Sequence, residues 1–132
     1  MKTITIPIPG EEEVVVVEAL INDKNELLLA LDTAATHTTI DSNMLHLFDF
    51  PLTKSKGRVE VETSNGIIIT EIFEVPKLEV MGVIEENFDV QVYDFIAHGI
   101  TSNYDGVLGL DFLRKRKFCL DLTKGEITIQ ED

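Results

Sequence analysis

The chain has 132 residues, of which 44% are hydrophobic, and it carries a formal net charge of −13. This length and apolar content predict one folded domain over residues 1–132 and exclude a disordered chain. The acidic balance argues against a nucleic-acid partner, whose phosphates would be repelled. No apolar run approaches the roughly 20 residues that cross a bilayer, so we expect no membrane association.

The start of the chain alternates polar and apolar residues, whereas a signal peptide has a continuous apolar core. We therefore expect a soluble, cytoplasmic protein. Cys119 is the only cysteine, and its apolar neighbours predict a small side chain in the core. The three histidines and the cysteine have no metal-ligand spacing, so we expect neither a metal nor another cofactor.

Strand patterns dominate the chain from beginning to end. Turn residues at 23–25 separate two of the predicted strands. Asp41 can cap a short helix over 42–48, and a second short helix is predicted over 111–117. The predicted strands are 3–8, 13–20, 26–31, 58–63, 67–70, 72–80, 88–93, 118–122 and 126–130.

A hairpin is predicted at Ser64, Asn65 and Gly66, which stand between two β segments. Asn-Gly in that setting is the strongest short-range signal for a tight turn between antiparallel strands. The predicted strands are more numerous than one flat open sheet holds comfortably. We therefore predict a mainly β fold that closes into a barrel, with one or two short helices.

The most informative segment is the apolar strand that runs directly into Asp32, Thr33, Ala34 and Ala35. A charged group at the end of a buried strand is costly unless it is hydrogen-bonded, shares a proton or performs a task. The small side chains beside Asp32 allow backbone N–H groups to approach its carboxylate. The segment is typical of an aspartate-based hydrolytic site, although a polar strand end or turn residue would also explain it.

Two segments together resemble those of the retropepsin-like aspartic proteases. Asp32-Thr33-Ala34-Ala35 matches the Asp-Thr/Ser-Gly-Ala loop of that family at every position except the third. Val107-Leu108-Gly109 matches its hydrophobic-hydrophobic-Gly element, which packs beneath the active-site loop. The Asn65-Gly66 hairpin falls where the family has its flap, and the resemblance runs from residue 3 to residue 129.

The resemblance implies an acid-protease-like β-barrel that works as a homodimer and hydrolyses peptide bonds without a cofactor. It implies catalytic roles for Asp32 and Thr33, with Thr33 hydrogen-bonded across the two-fold axis, and terminal strands that help to join the subunits. Since the chemistry needs two carboxylates and the chain offers one suitable aspartate, a two-fold dimer would supply the second. The implied substrate-binding residues are Ala34, Ala35, Ser64, Asn65 and Gly66.

Ala34 departs from the family, which usually has glycine at this position. Alanine costs little if its φ is negative, and about 1 kcal/mol or more if its φ is positive. An alternative function is therefore a catalytically weak or inactive dimer that serves as a peptide-binding or scaffolding domain. A third interpretation is an unrelated small barrel that binds a ligand, with Asp32 as a polar anchor.

Overall fold

The computed structural model describes residues 2–7, 14–63 and 66–131. Within these ranges the chain forms ten strands, two short α-helices and one turn of 3-10 helix at Ile96–His98. The strands are β1 (Lys2–Pro7), β2 (Val16–Ile21), β3 (Asn25–Leu31), β4 (Thr39–Asp41), β5 (Arg58–Thr63), β6 (Gly66–Val80), β7 (Val83–Tyr93), β8 (Gly106–Leu108), β9 (Lys117–Asp121) and β10 (Glu126–Glu131). The α-helices are α1 (Ser42–Leu47) and α2 (Leu110–Leu113).

Six strands form a closed ring in the order β2, β3, β8, β4, β7 and β6, and β6 pairs back with β2. The β3–β8 and β4–β7 pairs are parallel, and the other pairs of the ring are antiparallel. Strand β5 pairs with β6 outside the ring and makes the second arm of a hairpin. The predicted mainly β barrel with short helices is confirmed.

The two ends of the chain lie side by side in a separate three-stranded sheet, in the order β1, β10 and β9. All of its pairs are antiparallel, and β1 matches β10 from Lys2 opposite Glu131 to Pro7 opposite Glu126. Ile127 and Ile129 alternate with polar residues along β10 and are buried in the main core, and Ile4 on β1 packs against this core. The sheet is therefore fixed to the barrel by apolar contacts.

The barrel core is apolar along β3, β4 and β8. Leu29 on β3, Ile40 on β4 and Leu108 on β8 are fully buried. Phe112 on α2 is also fully buried and meets the ring of Phe88 edge to face at 6.0 Å between centroids. Side chains buried to this degree fix the positions of the strand ends that they adjoin.

Several element predictions need correction. The predicted helix over 111–117 occupies only Leu110–Leu113, and β9 begins at Lys117. Strand β4 was not predicted, because three residues are too few to carry a periodic pattern. Cys119 was predicted to be in the core and is exposed, because β9 is the outer strand of the small sheet. The helix cap at Asp41 is confirmed, since its side chain accepts from the Asn43 N–H.

Candidate active site

Asp32 lies immediately after β3, where the carboxyl ends of two parallel strands meet. Leu31 at the end of β3 is paired with Leu108 at the end of β8. The backbone N–H of Asp32 continues this pairing by donating to the Leu108 carbonyl at 3.1 Å. The Asp32 side chain is half-buried, whereas Thr33 and Ala34 beside it are exposed. The backbone of Asp32 is thus fixed at the ends of β3 and β8, and its side chain is partly accessible to solvent.

The loop after Asp32 turns back on its own carboxylate. The N–H of Ala34 donates to Asp32 Oδ1 at 2.9 Å, and the N–H of Ala35 donates to the Asp32 carbonyl at 3.1 Å. Ala34 is not among the described non-glycine residues with positive φ. Alanine therefore occupies the usual glycine position without the strain of a left-handed backbone. No other described residue donates a hydrogen bond to the Asp32 carboxylate.

A buried network behind the loop ties it to the start of α2. The Asp111 carboxylate accepts the Thr38 hydroxyl at 2.7 Å, the Thr38 N–H at 2.9 and 3.0 Å, and the Phe112 N–H at 2.8 Å. The Thr38 hydroxyl oxygen in turn accepts the Gly109 N–H at 3.1 Å. Asp111 was correctly predicted to lie on a helix, but its hydrogen bonds to the Asp32 loop were not predicted.

Gly109 permits close backbone contact between β8 and the Asp32 loop. A Cβ at this position would lie 2.6 Å from the carbonyl carbon of His37 and 2.9 Å from the carbonyl oxygen of Ala35. On the same side, the Leu110 N–H donates to the Ala35 carbonyl at 2.8 Å. The hydrophobic-hydrophobic-Gly segment therefore packs against the Asp32 loop, as the resemblance implied.

A cleft of about 600 Å³ opens beside Asp32, between its loop and the β5–β6 hairpin. Cross-strand pairing places Val59 with Thr70 and Val61 with Ile68 on the same face of the hairpin, and all four line the cleft. The remaining walls are mainly aromatic and aliphatic. They include Thr39, Gln91, Tyr93, Phe95, Ile100, Tyr104 and Val107.

Electrostatics in the cleft are dominated by acidic and neutral groups. Burial, together with the negative charge of Asp41, raises the pKa of the Tyr93 phenol, which therefore stays neutral at physiological pH. Glu60 and Glu62 alternate with the cleft-facing valines of β5, and both are exposed. Both residues also line part of the cleft, so their carboxylates add negative charge to it.

The structure brings some of the predicted site residues together at the cleft. Asp32, Ala34 and Ala35 line it, and Thr33 is exposed beside them. Gly66 begins β6 at the hairpin end, where its carbonyl accepts the Thr63 hydroxyl at 2.8 Å. Ser64 and Asn65, also predicted to bind substrate, lie outside the described residues.

A second groove, of about 720 Å³, runs between β1 and the β2–β3 hairpin, and Ile4, Val17, Leu28 and Met81 are among its lining residues. It does not include Asp32. In the described part of the chain, no group of three or more His, Cys, Asp or Glu side chains is placed to hold a metal ion.

Within the described ranges, no helix combines the length and the apolar character that crossing a membrane requires.

A closed β-barrel with an aspartate loop at the ends of two parallel strands, faced by a hairpin, defines the class of retropepsin-like folds. The chain belongs to the aspartyl protease family, whose model, "Aspartyl protease", matches residues 17–112. The predicted family resemblance is thereby confirmed.

Comparison with solved structures supports the same fold. The chain matches the crystal structure of a retropepsin-like aspartic protease from Rickettsia conorii with a TM-score of 0.73 and 19% sequence identity. The match covers 98% of this chain and 92% of that one. None of the curated proteins compared with the chain matches it.

Proposed function

We propose that this protein is an aspartic endopeptidase in which Asp32 from each subunit of a homodimer forms a catalytic dyad. The observation that carries the proposal is the setting of Asp32. Its carboxylate is half-buried beside a peptide-sized cleft. Among the described residues only the Ala34 N–H binds this carboxylate, at Oδ1. The second oxygen is thus left for a water molecule or for the partner carboxylate.

The chemistry follows from two carboxylates at close range. Because two like charges so close cannot both ionise easily, the pair holds one proton. The ionised carboxylate takes a proton from water as the water oxygen attacks the peptide carbonyl carbon. The protonated carboxyl gives its proton to the carbonyl oxygen, and a gem-diol forms. The carboxyl that took the water proton then gives it to the amide nitrogen as the C–N bond breaks. The other carboxylate takes a proton from a gem-diol hydroxyl as the product carboxyl group forms, so the dyad again holds one proton.

The proposed dimer rests on two features of the single chain. Asp32, Thr33 and Ala34 come to the surface together, with Thr33 and Ala34 exposed, so that a second copy could approach them. The outer strands of the terminal sheet, β1 and β9, keep one edge unpaired within the described residues, and unpaired edges favour strand addition. We propose that Thr33 supports the dyad across the axis and that the terminal sheets help to join the subunits.

The substrate would lie in the cleft between the Asp32 loop and the β5–β6 hairpin. We propose that Ala34 and Ala35 bind it from one side, and that Ser64, Asn65 and Gly66 act as a flap from the other. In this proposal the whole chain, residues 1–132, is one catalytic domain.

One observation favours a second candidate function. Ala34 is exposed beside Asp32. Its methyl group would therefore hinder the Asp32 loop of a second subunit from coming as close as it could to a glycine. A homodimer that binds peptides or acts as a scaffold, with little catalysis, would tolerate this methyl group.

The test is to incubate the purified protein with a mixture of denatured peptides from acidic to neutral pH. We expect cleavage that is lost in Asp32→Asn and is blocked by a transition-state-like inhibitor of aspartic proteases. Asp49→Asn makes the same chemical change at an exposed position outside the cleft and serves as the matched control.

Sedimentation of the same samples decides the oligomeric part of the proposal. Cleavage that persists in Asp32→Asn, or that comes from a strict monomer, would overturn the shared dyad. A stable dimer that cleaves nothing at any pH would favour the peptide-binding alternative.

A further inference from the structure

Gln91 is a buried amide on the cleft side of β7. Only 7% of its surface is exposed. Its neighbours along the strand, Val90 and Val92, are buried in the hydrophobic core, so the alternation of β7 turns Gln91 to the opposite face. There it is paired with Thr39 of β4, and both residues line the cleft.

The side-chain amide of Gln91 has no hydrogen-bond partner among the described residues. The neighbouring hydroxyls are engaged elsewhere: Thr70 donates to the Val59 carbonyl at 3.3 Å, and Thr39 to the His37 carbonyl at 3.4 Å. Both polar atoms of this amide keep some exposed surface, because Arg116 Nε is the only fully buried side-chain nitrogen or oxygen without a partner among the described residues. The group is therefore available to whatever enters the cleft.

The surroundings of Gln91 define the kind of side chain that would complement it. Val61 and Ile68 on the hairpin and Val107 on β8 give the cleft apolar walls, which suit a carbon stem. At the floor, an amide offers both a donor and an acceptor, so another primary amide can form two reciprocal hydrogen bonds with it. A charged side chain could pair with only one of the two atoms and would lose much of its hydration.

We propose that Gln91 determines specificity by binding an Asn or Gln side chain of the peptide, at the substrate position that enters this part of the cleft. The inference deepens the proposed function and rests on it, since the peptide is taken to lie in the same cleft. Sites that hydrogen-bond a substrate group discriminate against analogues that lack the group, because their own polar atoms are then left unpaired.

The test compares cleavage of a position-scanning peptide library by the wild-type protein and by Gln91→Met. Methionine keeps the unbranched length and removes the hydrogen-bonding atoms. We expect the wild type to prefer Asn or Gln at one position, and Gln91→Met to lower kcat/KM for that peptide on the order of tenfold. Peptides with Leu or Met at that position should be unaffected.

Gln130→Met is the matched control, because Gln130 is the only other glutamine of the chain and lies on β10, away from the cleft. It should leave the preference unchanged. Should Gln91→Met fail to fold, Gln91→Glu keeps the shape and can accept but not donate when ionised, so we expect it to shift the preference towards Lys or Arg. An unchanged preference in the folded variant would overturn the proposal.

Binding measurements separate this inference from the proposed function. Asp32→Asn should bind fluorescent library peptides without cleaving them, and Asn or Gln peptides should bind more tightly than their Leu or Met counterparts. If the wild type cleaves nothing, the endopeptidase proposal fails, but this binding preference and its loss in Asp32→Asn/Gln91→Met would still support the subsite. Equal binding of amide and aliphatic peptides would overturn it.

Discussion

The hydroxyl of Thr38 donates a 2.7 Å hydrogen bond to the Asp111 carboxylate across 73 positions of sequence. Thr38 is fully buried, and its backbone N–H is bound by the same carboxylate at 2.9 Å. Because the Thr38 oxygen also accepts the Gly109 N–H, three segments meet at one pair of side chains. The loop that carries Asp32 is thereby held against β8 and α2.

Asp111→Ala is expected to lower the free energy of unfolding by about 3 kcal/mol, because it leaves buried donors of Thr38 without an acceptor. Urea unfolding measures the loss, and peptide cleavage at a temperature where the variant stays folded should also be weaker. Thr38→Val removes only the hydroxyl. A double-mutant cycle with both changes should give a coupling energy of about 0.5–3 kcal/mol, and additive effects would contradict the network.

Gly109→Ala is expected to lower the free energy of unfolding by more than the same change at Gly125, in the turn between β9 and β10. Its Cβ would lie within 3 Å of backbone atoms of Ala35 and His37, so the Asp32 loop would have to move. Gly125→Ala is the control, since its Cβ would meet nothing within 4 Å and only its φ of +64° is unfavourable, which costs about 1 kcal/mol. Equal losses of stability by urea unfolding would contradict the close-approach argument.

Ala34→Gly is expected to destabilise the protein, although glycine is the residue that the family usually has. The φ of Ala34 is not positive, so no backbone strain is released by the change. Glycine instead enlarges the conformational freedom of the unfolded chain, which lowers the free energy of unfolding by about 0.4–1 kcal/mol. Thermal unfolding of the two proteins measures this difference, and a gain in stability would show that Ala34 is strained.

Local sequence patterns predicted much of the fold, and at the site they predicted the Asp32 loop and the hairpin opposite it. Asp32 was found because an apolar strand ends abruptly at a carboxylate with small neighbours, and the β5–β6 hairpin because of its Asn-Gly signal. The helix cap at Asp41 is equally local, since its acceptor and donor are two residues apart. The signals that succeeded thus lie within a few residues of the feature that they predict.

The rest of the site depends on contacts between distant segments. Thr38 and Asp111 have no local pattern that would pair them, and only the packing of α2 against the loop brings them together. Gln91 lies on β7, and the sequence correctly predicted a strand there. However, β4, the strand that pairs with Gln91, has only three residues. A segment that short carries no periodicity, so the face of β7 that meets the cleft could not be inferred.

Glu85 on β7 gives the fold a dependence on pH that can be tested separately from catalysis. Its carboxylate bridges Lys115 at 2.7 Å and Arg116 at 2.9 Å, and the Arg116 side chain is only 3% exposed. Burial by itself raises the pKa of Glu85, but the hydrogen bonds from Lys115 and Arg116 outweigh it and lower the pKa below its usual 4.5.

Because the folded pKa of Glu85 is lowered, its ionised form stabilises the protein above the unfolded pKa, and this contribution is lost as the pH falls below 4.5 through the folded pKa. Glu85→Gln should therefore lower the free energy of unfolding at neutral pH by about 2 kcal/mol. It should also flatten the decline of stability in acid. Urea unfolding from neutral to acidic pH measures both effects, with the exposed neighbour Glu86→Gln as the control. An acid decline as steep in Glu85→Gln as in the wild type would show that other carboxylates cause it.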